Sequence, residues 1–207
     1  MTRILLVSGN LREDSLHTAA LRTAARIAPA DITATPYDGL RFLPAFLPAD
    51  PAPPQAVNHP RHQVGAADAL LFCTPEYAGS LPGSLKNLLD WLVDGGELHG
   101  KPAAWLSVAA PGQDDSARAT LETALGHGGA RVLRSAFIRI PLSPTAVDAG
   151  GVITDPTLHT ALVDVLESLA RPLTPPPPRR QPSWQAYSSV FPVVMPQDVP
   201  AYRTWPS

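Results

Sequence analysis

The stretch that most constrains this chain is an unbroken apolar run, Ala69-Leu70-Leu71-Phe72-Cys73, emptying into Thr74-Pro75-Glu76-Tyr77-Ala78-Gly79-Ser80-Leu81-Pro82. A strand with no polar alternation is covered on both faces, which points to a parallel sheet between layers of helices. After the loop, Leu85, Leu88, Leu89 and Leu92 recur at the spacing of an amphipathic helix. Open α/β sheets hold their ligands where such a strand empties through a loop into a helix. The loop offers a proline, an acid, an aromatic and then Ala-Gly-Ser, with little bulk to keep out a flat ligand.

The same unit repeats along the chain. Ile4-Leu5-Leu6-Val7 is a second continuous apolar strand, followed by a polar turn from Ser8 to Ser15. A helix with Leu16, Ala20, Ala24 and Ile27 on one side follows, and Pro29 stops it. Asp31–Tyr37 reads as the next strand. The Pro-rich connection over 44–54 is long for an α/β unit and predicts a functional loop, ordered or flexible. A short helix near 55–66 leads back to the run at 69–73. Residues 103–108 form a fourth strand, and Ser116 is placed to cap a helix carrying Ala117, Leu121 and Leu125, ending in Gly126-His127-Gly128-Gly129. Arg131–Leu142 is expected as a fifth strand. Asp155-Pro156 is a cap and first-turn proline for a helix with Leu158, Leu162, Val165 and Leu169, stopped by Pro172. Strands alternating with helices predict a doubly wound α/β fold; in the order 2-1-3-4-5 the ligand crevice lies between strands one and three.

At 207 residues the chain suits one domain with a sizeable core plus an addition. A net charge of -2 offers nothing to nucleic acid or an anionic membrane. The single cysteine, Cys73, fits a reducing compartment and reads as a buried small hydrophobe. No apolar run approaches the ~20 residues of a membrane span, and Met1-Thr2-Arg3 runs straight into a strand rather than a signal peptide, so a cytoplasmic protein is expected. Ten of the 25 prolines fall from Pro172 onward, dividing the chain into a body, 1–171, and an extension, 172–207. That extension carries Trp184, Tyr187, Phe191, Tyr202 and Trp205, so it is either a loose Pro-rich end or an arm docking its aromatics on the body or on a second subunit. The histidines are scattered without a ligand set for a metal. No Gly-x-Ser-x-Gly elbow is present, and the acids give no paired-carboxylate constellation.

Two loops carry candidate chemistry. Gly9-Asn10-Leu11-Arg12-Glu13-Asp14-Ser15-Leu16-His17 presents backbone N–H groups, amide and hydroxyl side chains and an arginine between a strand and a helix, a combination that cradles a phosphate. It lacks the Gly-Lys-Ser/Thr ending of a P-loop and the Gly-x-Gly-x-x-Gly of dinucleotide sites. The same residues also read as an ordinary capping turn, with Ser15 the cap and Arg12 a solvated charge. The loop at 75–80 could supply amides from Glu76 to Ser80 to the edge of a flat ring, with Tyr77 as a stacking or edge contact. It also reads as a strand-to-helix turn with packing aromatics.

Both loops resemble those of the NADPH-dependent FMN reductase family, a branch of the flavodoxin-like fold. The family pattern Gly-Ser-x-Arg-x-x-Ser-x-Asn is matched at Gly9, Arg12 and Ser15, with Asn10 and His17 as departures. The pattern Pro-Glu-Tyr-Asn-Gly-Ser-x-Pro-Gly-x-Leu-Lys-Asn-x-x-Asp-Trp is matched at Pro75, Glu76, Tyr77, Gly79, Ser80, Pro82, Gly83, Leu85, Lys86, Asn87, Asp90 and Trp91. Ala78 replaces the asparagine, with the loss of one polar side chain. In a third loop, Ala109, Pro111 and Gly112 stand where the family lays small residues beside the ring, and Asp114-Asp115 replaces a frequent Gly-Gly, which would alter the pocket's charge.

The resemblance covers about 1–170 and implies a flavodoxin-like, five-stranded parallel sheet that binds FMN. Gly9, Asn10, Arg12, Ser15 and His17 would hold the phosphate. Pro75, Glu76, Tyr77, Ala78, Gly79 and Ser80 would hold the ring, with Ala109 and Gly112 beside it. The implied reaction is ping-pong, from NADPH or NADH to FMN and on to a quinone, free flavin or azo compound; no side chain need act as acid or base. Relatives of this kind imply a homodimer, or a dimer of dimers, with the helix bearing Lys86, Asp90 and Trp91 at the contact. Two rival readings are an electron carrier without nicotinamide turnover and a non-enzymatic scaffold with an altered cleft. No arginine pair stands out in the sequence for the 2′-phosphate that separates NADPH from NADH.

Overall fold

The computed structural model describes residues 1–48 and 52–171. In chain order the elements are β1 (Thr2–Ser8), α1 (Leu16–Ile27), β2 (Ile32–Tyr37), α2 (Gln55–Ala66), β3 (Ala69–Cys73), α3 (Gly83–Gly95), β4 (Pro102–Ser107), α4 (Asp115–His127), β5 (Arg131–Val132), β6 (Ile138–Arg139) and α5 (Pro156–Ala170). The strands are parallel in the order β2-β1-β3-β4-β5, with β6 also pairing to β4.

The continuous apolar strands follow from two cores, one on each face. Ile4 and Leu6 of β1 and Leu71 and Cys73 of β3 pack with Ala20 and Ala24 of α1 and Leu162 and Leu166 of α5. The alternate residues, Leu5, Val7, Leu70 and Phe72, pack with Leu85 and Leu89 of α3 and Leu121 of α4. The central residues of β1 and those of β3 therefore meet helices whichever way they point, which is why both runs are apolar throughout. Ser15 and Asp155 cap their helices as expected, accepting from the N–H of Thr18 and Leu158.

Three expectations are corrected. Residues 131–142 are not one strand: β5 pairs with Pro102 and Ala103, β6 pairs with Leu106 and Ser107, and a 3-10 turn over Arg134–Ala136 separates them. Exposed Arg134 and Ser135 interrupt the apolar run there, and the chain leaves the sheet edge to keep them in water. Ser116 does not cap α4; it lies in the first turn, where its N–H is taken by a carboxylate from another loop. Trp91, expected at a subunit contact, is completely buried.

What buries Trp91 is the connection after β2. Its indole N–H donates to the Pro44 carbonyl at 3.0 Å, and the Phe46 ring meets it edge-on with centroids 5.0 Å apart. Asn87, one turn earlier on α3, donates to the same carbonyl at 2.8 Å and accepts from the Phe46 N–H at 2.8 Å. Residues 44–46 are thus an ordered part of the long connection, pinned to α3 by two side chains. Phe42 and Leu47, which flank them, are 73% and 60% exposed. Residues 49–51, the stop at Pro172 and the extension 172–207 lie outside the described residues.

Asn87→Ala removes both of its bonds to that segment and leaves the Phe46 N–H unpaired. The expected cost is about 1–3 kcal/mol. It would be measured as a lower urea midpoint at unchanged slope, with faster amide exchange at Phe46.

Candidate functional site

The site begins where β1 and β3 leave the sheet side by side. The Gly9 N–H donates to the Cys73 carbonyl at 2.9 Å. A Cβ on Gly9 would stand 2.0 Å from Thr74 Oγ1 and 2.6 Å from Thr74 Cβ, so only glycine permits this approach. Beyond it the first loop folds on itself. Asn10 Oδ1 accepts from the Arg12 N–H at 3.0 Å, and Ser15 Oγ accepts from the Thr18 N–H at 3.2 Å. The turn is therefore a helix cap, and the first-turn amides of Leu16 and His17 are left without a hydrogen-bond partner among the described residues.

A cleft of ≈ 390 Å³ opens on those amides, walled by Asn10, Arg12, Ser15, His17, Tyr77 and Val147. Arg12 forms a two-pronged pair with Asp14, Nε to Oδ1 at 3.1 Å and Nη2 to Oδ2 at 2.9 Å. Both side chains are about three-quarters exposed. Arg12 holds the Asp14 carboxyl below the usual carboxylate range. His17 is different: neither ring nitrogen is exposed or has a partner among the described residues, and burial pushes its pKa down to about 4.

The second loop is a tight hairpin turn. Tyr77 and Ser80 exchange backbone hydrogen bonds at 2.9 and 3.0 Å, while Ala78 and Gly79 both take positive φ, 50° and 69°. This is the pattern of a type I′ turn, which favours Asn-Gly at its centre. The substitution at 78 thus alters more than a polar side chain, because alanine resists the left-handed conformation that asparagine tolerates. The Glu76 side chain is turned to α4: its Oε2 accepts from the N–H groups of Ser116 and Ala117, at 2.9 and 3.0 Å, and so caps that helix. The Ser80 and Thr120 hydroxyls, 3.4 Å apart, add a second tie to the same helix.

The third loop turns through Gly112 at φ 84°. Beyond it, Asp114 and Asp115, expected to alter the pocket's charge, are both paired with one arginine. Asp114 is buried; it accepts from Ser107 Oγ at 2.5 Å and from Arg139 Nη2 at 2.8 Å, and Asp115 accepts from the same nitrogen at 2.5 Å. Arg139, from β6, pairs with both acids, neither of which is in the wall of the cleft. Sequence reasoning passed over it; the available signal was an arginine inside the apolar run Phe137-Ile138-Arg139-Ile140.

Of the residues expected at the site, Asn10, Arg12, Ser15, His17 and Tyr77 line the one cleft. Gly9, Pro75, Glu76, Ala78, Gly79, Ser80, Ala109 and Gly112 lie on the three loops leaving β1, β3 and β4 but not in its wall.

An open parallel sheet of this order, with its crevice at the β1/β3 switch point and a capped helix N-terminus facing that crevice, defines a flavodoxin-like ligand-binding domain. Residues 2–142 match the NADPH-dependent FMN reductase family, and the chain belongs to that family. It is 35% identical over 179 residues to an NAD(P)H-dependent FMN reductase of Pseudomonas aeruginosa, covering 81% of this chain and 92% of that protein. An NADPH:quinone oxidoreductase of Arabidopsis thaliana is 29% identical over 198 residues, covering 82% and 90%. Among solved structures, the flavoenzyme NAD(P)H:(acceptor) oxidoreductase FerB of Paracoccus denitrificans superposes with a TM-score of 0.69 at 26% identity, over 83% of this chain and 96% of that one. FMN fits the residues present. Unpartnered amides at the α1 N-terminus suit its phosphate, and the Tyr77 hairpin on the same cleft suits its ring.

Ala78→Asn should relax the hairpin and stabilise the protein by about 1 kcal/mol. The thermal midpoint is expected to rise by roughly 2–4 °C in a body of this size. Scanning calorimetry of the variant checks it, and an unchanged or lower midpoint would refute the strain at this turn.

Proposed function

We propose that the protein is an FMN-dependent oxidoreductase that draws on NAD(P)H and delivers electrons to a quinone or a free flavin. One observation carries the reading: residues from two separate family motifs, Asn10, Arg12, Ser15 and His17 from one and Tyr77 from the other, converge on a single cleft at the switch point. The names of the relatives, an FMN reductase and a quinone oxidoreductase, support the two acceptor classes.

In this reading Asn10, Ser15, His17 and the α1 amides bind the phosphate, with Gly9 allowing the approach and Arg12 at the rim. The loop from Pro75 to Ser80 borders the ring through its backbone, and Ala109 and Gly112 border it from the third loop. Bound FMN supplies the redox chemistry itself, taking a hydride from the nicotinamide and giving up electrons to the acceptor. This chain's part is to bind, orient and exclude water. Glu76 serves by keeping the ring loop fixed to α4. No side chain of the cleft is assigned as acid or base.

The assembly we infer is a homodimer, or a dimer of dimers. Exposed Phe42 and Leu47, flanking the segment pinned to α3, support an interface on that side, with the Lys86–Asp90 pair on the same helix. Among the described residues no helix is long and apolar enough to cross a membrane.

The purified protein, loaded with FMN, is expected to be yellow, to bleach with NADPH or NADH under anaerobic conditions and to recolour when benzoquinone is added. A yellow protein that stays oxidised with both nucleotides would make it an electron carrier. Failure to retain FMN after exposure to excess cofactor would overturn the reading altogether.

A further inference from the structure

The inference here rests on the cleft being the FMN phosphate site, and it concerns where the compensating charge comes from. A phosphomonoester near neutral pH carries close to two negative charges. The cleft offers helix amides but no net positive side chain. Arg12 is matched by Asp14 on the same loop, so the pair is neutral as a unit. From the β3–α3 loop the titratable group is Tyr77, a phenol, and from the chain after β6 the lining residue is Val147. Nearby Glu13, Arg22 and Asp148 line a neighbouring cleft, where Glu13 is itself paired with Arg22 and Arg41.

His17 is the remaining wall residue able to become positive. It occupies the second position of α1, two residues after the Ser15 cap, where the family pattern carries asparagine. A neutral imidazole has one N–H donor and one acceptor nitrogen. Both are shut away from solvent, and neither has a partner among the described residues, so the ring is held in an unfavourable, unbonded state. Burial is what lowers its titration. A doubly charged oxyanion in the cleft changes that balance. It gives the N–H a partner once the ring turns about its side-chain torsions, and it stabilises a proton on the second nitrogen.

We propose that His17 is the inducible cation of this cleft: binding of a phosphomonoester draws one proton from solvent onto the His17 ring, and this coupling makes the site select FMN over riboflavin. The sign follows from linkage. The free ring titrates at about 4 and is neutral above that. The phosphate's second ionisation lies near 6. Between about pH 6 and the raised value in the complex, a dianion and a neutral ring combine with one proton, so the FMN dissociation constant rises up to tenfold per pH unit. Below about pH 6 the monoanionic phosphate brings that proton itself, and the dependence flattens. Riboflavin, without the phosphate, shows neither regime.

Calorimetric titration of the flavin-free full-length protein at pH 7, in buffers of different ionisation enthalpy, counts the protons. FMN is expected to take up about one proton with the native protein and close to none with His17→Asn. Riboflavin should take up none with either. Equal uptake by the native protein and His17→Asn, or equal uptake for riboflavin and FMN, would overturn the proposal. His17→Gln provides a second amide replacement should His17→Asn fold poorly. If FMN does not bind the native protein at any pH, the flavin reading fails by itself, and inorganic phosphate then tests His17 directly. In the imidazole nitrogen NMR spectrum, saturating phosphate should raise the His17 titration midpoint from about 4 to above 7, whereas a midpoint that stays below 7 would refute the coupling.

Discussion

The closeness of β1 and β3 where they leave the sheet governs the rest of the site. Gly9 and Thr74 approach so tightly that a single added methyl group would collide with the threonine hydroxyl. From that point the two chains diverge: α1 goes to the face it shares with α5, and α3 to the face it shares with α4. A crevice is the geometric consequence of helices leaving neighbouring strands for opposite faces. Because the strands are hydrogen-bonded up to the last residue before the split, the first loop and the Tyr77 hairpin reach one cleft from opposite sides.

Polar side chains near the cleft mostly serve the backbone. Glu76 ties the Tyr77 hairpin to the start of α4, where a carboxylate meets both the open amides and the positive end of the helix dipole. Asp114, which sits at the cap position of that helix, is released from capping and buried instead on Ser107 and Arg139. Asn87 and Trp91 hold the connection after β2 in the same manner. Loops fixed by charge-assisted or paired hydrogen bonds at their bases can offer amides to a ligand at low ordering cost. That is what a fold needs when its redox chemistry belongs to a bound group rather than to its own side chains.

The fold was largely legible because its determinants are local. Apolar continuity at 4–7 and 69–73 identifies doubly covered strands, and Asp155-Pro156 marks a helix start with a mechanism attached. The sequence reading failed where a partner lies far along the chain. Ser116 is a good cap by local chemistry, yet the helix already begins before it, and its own N–H is taken by Glu76, 40 residues away. Asp114 looks like an added negative charge until Arg139, 25 residues on, reaches it. Resemblance alone puts Trp91 on a contact helix, and nothing local in the sequence shows that Pro44 and Phe46 cover it. The edge position of β5 and β6 was likewise invisible, since a sheet edge is a property of the whole topology. At the cleft, the motif residues could be read in the sequence. The strain at Ala78 and the unpaired ring of His17 could not, because both depend on backbone angle and burial.

The Arg12–Asp14 pair shows why the neutral state of the cleft matters. Both partners are strongly exposed, so their attraction is screened by water and salt and gives way easily to a competing anion. A phosphate could therefore displace Asp14 from Arg12, but the displaced carboxylate would stay on the same loop within a few residues of the ligand. Such an exchange rearranges charge without adding any, and it carries no pH dependence in the neutral range because neither partner titrates there. Binding by exchange alone would leave a dianion balanced only by helix amides. A protonated ring at position 17 adds a full charge beside those amides, and does so only while the ligand is present. An asparagine at that position can donate a hydrogen bond but cannot change its charge. The substitution from amide to imidazole thus converts a fixed donor into one whose strength follows the charge of what enters the cleft.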